Sequence, residues 1–171
     1  NSLSKEAVIK NIVLNYNLNY QGVITNVPGF INSNSGTLEN IIINVNQKYE
    51  TGRAYQLGLA AYNNYGTITN FVVYLNDDIH TYYISTLVTQ RNESSGVISN
   101  GYVSTNPLLN SDKKIILHDS NSYHGTFTET NYGVIKNVYN LVSVESTEQK
   151  YNGSGIAVIA RSNSSNGIIK N

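Results

Sequence analysis

The sequence predicts an all-β protein, a right-handed parallel β-helix of about five to six coils, and three observations carry that reading. Asparagine fills 27 of the 171 positions, beside 14 Tyr and no Trp, Met or Cys. Asn disfavours helix, whereas Tyr, Val, Ile and Thr suit strands. A five-residue phrase recurs along the chain: a small residue, two mostly β-branched or apolar residues, any residue, then Asn. The stretches flanking each copy repeat as well.

The copies are Ala7-Val8-Ile9-Lys10-Asn11, Gly36-Thr37-Leu38-Glu39-Asn40, Gly66-Thr67-Ile68-Thr69-Asn70, Gly96-Val97-Ile98-Ser99-Asn100, Gly133-Val134-Ile135-Lys136-Asn137 and Gly167-Ile168-Ile169-Lys170-Asn171. Their starts lie 29, 30, 30, 37 and 34 residues apart. A further copy, Gly22-Val23-Ile24-Thr25-Asn26, falls half a period out of phase. Upstream of the later copies come small-and-apolar stretches: 57–62, 84–88, 125–128 and 155–160. Polar turns follow several of these, as at Asn63-Asn64-Tyr65, Asn92-Glu93-Ser94-Ser95 and 162–166. Downstream come strand-like runs, such as Ile41-Ile42-Ile43-Asn44-Val45, Phe71-Val72-Val73-Tyr74-Leu75 and 138–142. Each period therefore holds about three short strands, and the longest insertion is expected from Pro107 to Ser122.

A coil stack explains this pattern physically. Equivalent positions of successive coils lie one strand spacing, roughly 4.8 Å, apart. A repeated apolar position then builds one inward column (Leu38, Ile68, Ile98 and Ile135), and a repeated Asn builds an amide ladder. Gly at the phrase start is expected to supply the backbone conformation that turns the corner. The alternative architecture is an antiparallel double β-barrel of the trypsin type.

The chain reads as one solenoid domain, 1–171, cut from a longer secreted protein. Lys+Arg and Asp+Glu each number 11, so the net charge is zero, and 13% of residues are charged. A nucleic-acid partner needs a cationic surplus that is absent here. No apolar run approaches the ~18 residues of a membrane span, which argues against membrane insertion. Without cysteine there is no disulfide framework and no thiolate chemistry. Freedom from Cys also fits a protein exported by a Gram-positive bacterium.

Leu57-Gly58-Leu59-Ala60-Ala61-Tyr62-Asn63-Asn64-Tyr65-Gly66-Thr67-Ile68-Thr69-Asn70 resembles the Gly-Leu-Gly-type repeats of bacterial surface proteins. With the aromatic-ended phrase Val27-Pro28-Gly29-Phe30-Ile31 before it, the chain resembles the non-catalytic N-terminal region of Gram-positive zinc metalloproteases that cleave immunoglobulin A. The resemblance departs at Thr86 and Thr126, where Gly is usual, and the zinc signature His-Glu-x-x-His is absent. It implies an accessory or substrate-recognition domain without catalysis or cofactor of its own, secreted or held at the cell wall. Its partners would be other domains of the same polypeptide and a host immunoglobulin or glycoprotein; an adhesin module is the alternative.

Three side-chain groupings bear on chemistry. Ser154, between two glycines, follows His80 and Asp112 or Asp119 in the His, Asp, Ser order of trypsin-like proteases. The repeat already accounts for those glycines, and His80 lacks the small-residue context of a catalytic histidine. Asp77, Asp78, His80, His118 and Asp119 supply metal-ligand types without a metal-binding motif, and His124 adds none; the acidic pair is expected to be solvated. Tyr62, Tyr65, Tyr74, Tyr82, Tyr83, Tyr102, Tyr132 and Tyr139 lie in turns and outer strands. They suit either a recognition face or a stack covering the solenoid, with Tyr65 and Tyr132 stacked at the phrase corner.

Overall fold

The computed structural model describes residues 1–18, 22–24, 29–47, 52–54, 58–81, 84–118, 123–147 and 156–170. Every strand pairing in it is parallel. That topology is a β-solenoid and sets aside the antiparallel double barrel.

Two six-stranded sheets run the length of the stack. The first comprises β1 (Ser2–Leu3), β4 (Ile31–Asn34), β7 (Ala61–Asn64), β11 (Thr89–Asn92), β15 (Thr128–Asn131) and β19 (Ala160–Asn163). The second comprises β2 (Val8–Asn17), β5 (Thr37–Asn46), β8 (Thr67–Leu75), β12 (Val97–Thr105), β16 (Val134–Asn140) and β20 (Ile168–Lys170). The remaining strands form shorter sheets. One pairs β9 (Ile79–Thr81), β13 (Lys114–Leu117) and β17 (Ser143–Ser146); another pairs β10 (Ile84–Ser85), β14 (Tyr123–Gly125) and β18 (Ile156–Ala157). β3 (Gly22–Ile24) pairs with β6 (Gly52–Ala54). The two long sheets have six levels, the end levels are partial, and about four turns are complete.

The recurrent phrase sets the register. Ile9, Leu38, Ile68, Ile98, Ile135 and Ile169 pair in succession, and the middle four are fully buried. They form the expected single inward column, each contributing about 1.5–3 kcal/mol of apolar burial. Ile43, Val73 and Val103 continue the core on the same strands, and Phe127, in the bend just before β15, meets Phe71 edge-to-face at 6.1 Å. The out-of-phase copy at Gly22 belongs to the β3–β6 pair rather than to the phrase column; its Thr25 and Asn26 lie outside the described residues, as do Val27 and Pro28. Of the expected insertion, 107–113 forms the extra turn, whereas Lys114–Leu117 is a regular strand; 119–122 lie outside the described residues.

The corner conformation expected at the phrase glycine is found at the phrase asparagine instead. The left-handed backbone sits at the phrase Asn, with φ of 59°, 54°, 52°, 54° and 51° at Asn11, Asn40, Asn70, Asn100 and Asn137. Asn tolerates that conformation because its short side chain hydrogen-bonds locally. The phrase glycines are needed instead for close approach. A Cβ at Gly36 would lie 2.3 Å from the Ala7 carbonyl oxygen, and one at Gly66 would lie 2.1 Å from that of Gly36.

Side-chain size is also matched between levels. Ile41, Phe71, Gly101 and Val138 occupy one inward column, and a Cβ at Gly101 would lie 2.4 Å from the Phe71 ring. Gly101→Ala is expected to cost about 1–3 kcal/mol by overpacking. The Phe71→Leu background should recover part of that loss, which a double-mutant cycle from denaturant melts would measure.

Candidate functional site

Among the described residues three asparagine ladders form, two of them structural, beside a single exposed pair in which Asn44 Nδ2 donates to Asn15 Oδ1 at 2.9 Å. The first closes the inner corner after the first sheet. Asn34 Nδ2 donates to Asn64 Oδ1 (2.8 Å), Asn64 to Asn92 (2.8 Å), Asn92 to Asn131 (2.7 Å) and Asn131 to Asn163 (2.7 Å). Asn34, Asn64, Asn92 and Asn131 are fully buried. Within the expected polar turns, Asn64 and Asn92 are instead strand ends whose amides point inward. The same amides also donate to phrase carbonyls, for example Asn92 Nδ2 to the Gly96 and Val134 oxygens at 3.3 Å. At the open end Asn34 Oδ1 has no partner, because its register mate one level below is Leu3. The second ladder, Asn106 to Asn76 (2.7 Å) and Asn76 to Asn46 (2.9 Å), closes the far end of the long strands.

The third row belongs to the phrase asparagines and faces solvent. Asn40 donates to Asn11 at 3.0 Å, and Asn137 to Asn100 at 3.1 Å. Between them the row is interrupted, because Asn100 Nδ2 turns to Thr69 Oγ1 at 3.3 Å. Asn70 is exposed, and its side chain makes no hydrogen bond among the described residues. An open amide with two N–H donors and an acceptor oxygen therefore stands at the middle of the row.

Two residues beyond each of these asparagines is an outward position, and those positions form one column: Val13, Ile42, Val72, Tyr102 and Tyr139. Val13, Ile42, Tyr102 and Tyr139 are among the exposed large hydrophobic residues. Four level steps of about 4.8 Å make this spine roughly 19 Å long. The left-handed kink at the Asn lies between spine and phrase, and together they shape a shallow trough of ≈ 410 Å³. It is lined by Asn40, Asn70, Asn100, Ile42, Val72 and Tyr102, among others.

Tyr74 and Tyr102 join beside the spine, with hydroxyls 3.1 Å apart and rings edge-to-face at 6.3 Å. The hydrogen bond to Tyr102, then partial burial, raises the Tyr74 phenol above its usual 10.0. Both effects favour the neutral form, so the stabilisation is complete below the unfolded-state pKa and is lost as pH rises through the higher folded value. Ultraviolet difference titration is expected to show Tyr74 ionising above pH 10, and a Tyr102→Phe chain should bring that transition down.

Of the other tyrosines, Tyr65 is exposed and Tyr132 lies under the Arg91 guanidinium at 5.3 Å. These two do not stack. The phrase register puts them two levels apart, with Ser95 between, and Ser95 Oγ donates to the Tyr65 carbonyl at 2.7 Å. Tyr65, Ser95, Ser35 and Lys5 line a second depression of ≈ 550 Å³, where no side-chain type repeats from level to level as it does in the trough. Tyr82 and Tyr83 lie outside the described residues.

The titratable candidates do not assemble into a reactive centre among the described residues. His80 Nδ1 and His118 Nε2 lie 2.7 Å apart with their rings stacked, so one imidazole donates to the other. Asp77 is not a free solvated charge: its Oδ2 accepts the Gln47 backbone N–H at 2.8 Å, and Asp78 Oδ1 accepts that of Lys114 at 3.0 Å. The acidic pair thus ties neighbouring levels together. Asp112 is exposed, and Ser154 and Asp119 lie outside the described residues. Among the described residues no group of three metal-ligating side chains occurs. Thr86 and Thr126 are buried, and Thr126 Oγ1 pairs with Nε2 of the buried His124 at 3.0 Å.

These observations define a class, a parallel β-solenoid whose long sheet carries an amide-and-apolar trough on its flank. No family profile, curated protein or solved structure matches the chain.

Proposed function

We propose that the chain is a non-catalytic recognition domain of a secreted, surface-associated protein and contacts its partner through the trough and spine. The observation that carries this reading is the in-register outward column Val13–Ile42–Val72–Tyr102–Tyr139 beside the outer asparagines, exposed at four levels and half-buried at Val72. A monomeric surface rarely keeps such an apolar row without a use. The resemblance of the repeats to those of immunoglobulin A-cleaving metalloproteases supports a parent enzyme of that kind, with this domain holding substrate while zinc chemistry proceeds elsewhere. Immobilised chain is expected to retain immunoglobulin A, and Val72→Asp should abolish retention without lowering the thermal midpoint by more than a few degrees. Deleting the domain from the parent protease should raise KM for immunoglobulin and leave kcat nearly unchanged. Equal retention by native and Val72→Asp chains would refute the role of this face.

A further inference from the structure

We infer that the trough binds a neutral linear glycan, lying along the solenoid axis with its sugars facing successive levels. This deepens the recognition reading above and rests on it. Three features select the ligand chemistry.

The first is charge. The phrase position before each outer Asn reads Lys10, Glu39, Thr69, Ser99, Lys136 and Lys170, so the two central levels carry hydroxyls there. None of the trough-lining residues is charged. Among the described residues the ion pairs lie away from it: Lys114–Glu145 on β13 and β17, Arg161–Glu129 on β19 and β15, and Arg91–Glu93 at the end of β11. An anionic ligand has no cation to meet in the trough, and a cationic ligand has no carboxylate.

The second is hydrogen-bonding type. A ladder amide uses one donor and one acceptor site on its neighbours and keeps one of each for a ligand. Asn70 keeps all of them. Each level thus offers a donor and an acceptor side by side, the complement of a sugar hydroxyl, which both donates and accepts. An extended peptide pairs its backbone with a sheet edge, whereas the trough lies on a sheet face whose backbone groups are already paired to the strands above and below.

The third is the wall. Ile42, Val72 and Tyr102 rise on one side, giving the apolar C–H face of a pyranose ring a surface to cover. The three levels that line the trough repeat at about 4.8 Å, of the same order as the advance per sugar in a linear chain. One ring then meets one level, and several weak contacts add along the chain without large ordering entropy in the protein.

The test is a glycan array of linear neutral oligosaccharides printed beside sulfated and uronic-acid ones, followed by calorimetric titration with the strongest binder. Asn70→Gly removes the open amide while permitting the positive φ, and Tyr102→Ala removes the aromatic wall. Neutral chains of about three or more sugars, one for each lined level, should bind, with each variant weakening affinity at least tenfold while its circular dichroism and melting curve stay close to native. Preference for charged glycans, or neutral binding unaffected by Asn70→Gly, would overturn the proposal. Silence on the array with immunoglobulin retention still sensitive to Val72→Asp would also overturn it and leave the recognition role standing. Silence in both assays would remove both.

Discussion

Asn92→Ala is expected to lower stability by about 3–5 kcal/mol, because the substitution orphans partners on two sides at once. Asn92 Oδ1 accepts from Asn64, and Asn92 Nδ2 donates to Asn131 as well as to the Gly96 and Val134 carbonyls. All three asparagines are fully buried, so water cannot replace what alanine removes. Each buried polar group left without its partner costs about 1–3 kcal/mol. At roughly 2–4 °C per kcal/mol for a chain of this size, the melting midpoint should fall by about 10 °C or more. Asn92→Asp has nearly the same shape but only accepts when ionised, so at neutral pH it should be no better than alanine. Asn40→Gly is the control, since it breaks an amide contact in the exposed row while tolerating the left-handed backbone; its cost should stay within about 1 kcal/mol. Guanidinium melts followed by circular dichroism separate the two cases. Similar losses for Asn92→Ala and Asn40→Gly would mean that the buried ladder holds no special share of the stability.

That contrast marks where the sequence could be read and where it could not. The column Leu38, Ile68, Ile98 and Ile135 was legible because one apolar residue at a fixed offset in every copy has no other economical explanation than vertical stacking. The burial of Asn64 and Asn92 was not. In an asparagine-rich chain, an Asn beside a turn has the same local signature whether its amide faces water or another amide. Only the register places five such residues above one another, and the signal that pointed to them was the recurrence of an Asn either two or four residues before each phrase glycine from Gly36 onward. The Asp77–Asp78 pair misleads for the same reason, since its partners Gln47 and Lys114 belong to neighbouring levels. The trough was half visible. Tyr102 and Tyr139 stood out as surface residues, but Val13, Ile42 and Val72 read as ordinary strand interior until pairing aligned them on one outward column. Gly101 opposite Phe71 illustrates a size match between coils that no single copy of the repeat contains.

Gly66→Ala is expected to cost about 3 kcal/mol, at the upper end for overpacking, because the obstacle is backbone and cannot rotate away. The new Cβ would lie 2.1 Å from the Gly36 carbonyl oxygen and 2.7 Å from the Ser35 carbonyl carbon. That same Gly36 oxygen accepts the Thr67 N–H at 2.9 Å. Relieving the clash therefore stretches a ladder bond at the start of β8 and lifts the strand away from β5. The ladder bond recurs one level on, where the Gly66 oxygen accepts the Val97 N–H at 2.8 Å, so a displacement of Gly66 is passed to the next coil. Ala7 is the informative exception. It occupies the same phrase position at the first described level, with no described coil beneath it to supply a clashing carbonyl, and there a methyl group is accommodated. Ala7→Gly should accordingly lose only the 0.5–1 kcal/mol or so of added backbone entropy. The pair separates two explanations of the glycines. If a special backbone angle demanded Gly, position 7 would demand it too; if close stacking does, only the covered levels will. A loss of less than about 1 kcal/mol for Gly66→Ala in denaturant melts would count against stacking, and hydrogen exchange at Thr67 and Val97 should show the same ladder bonds opening first in the variant.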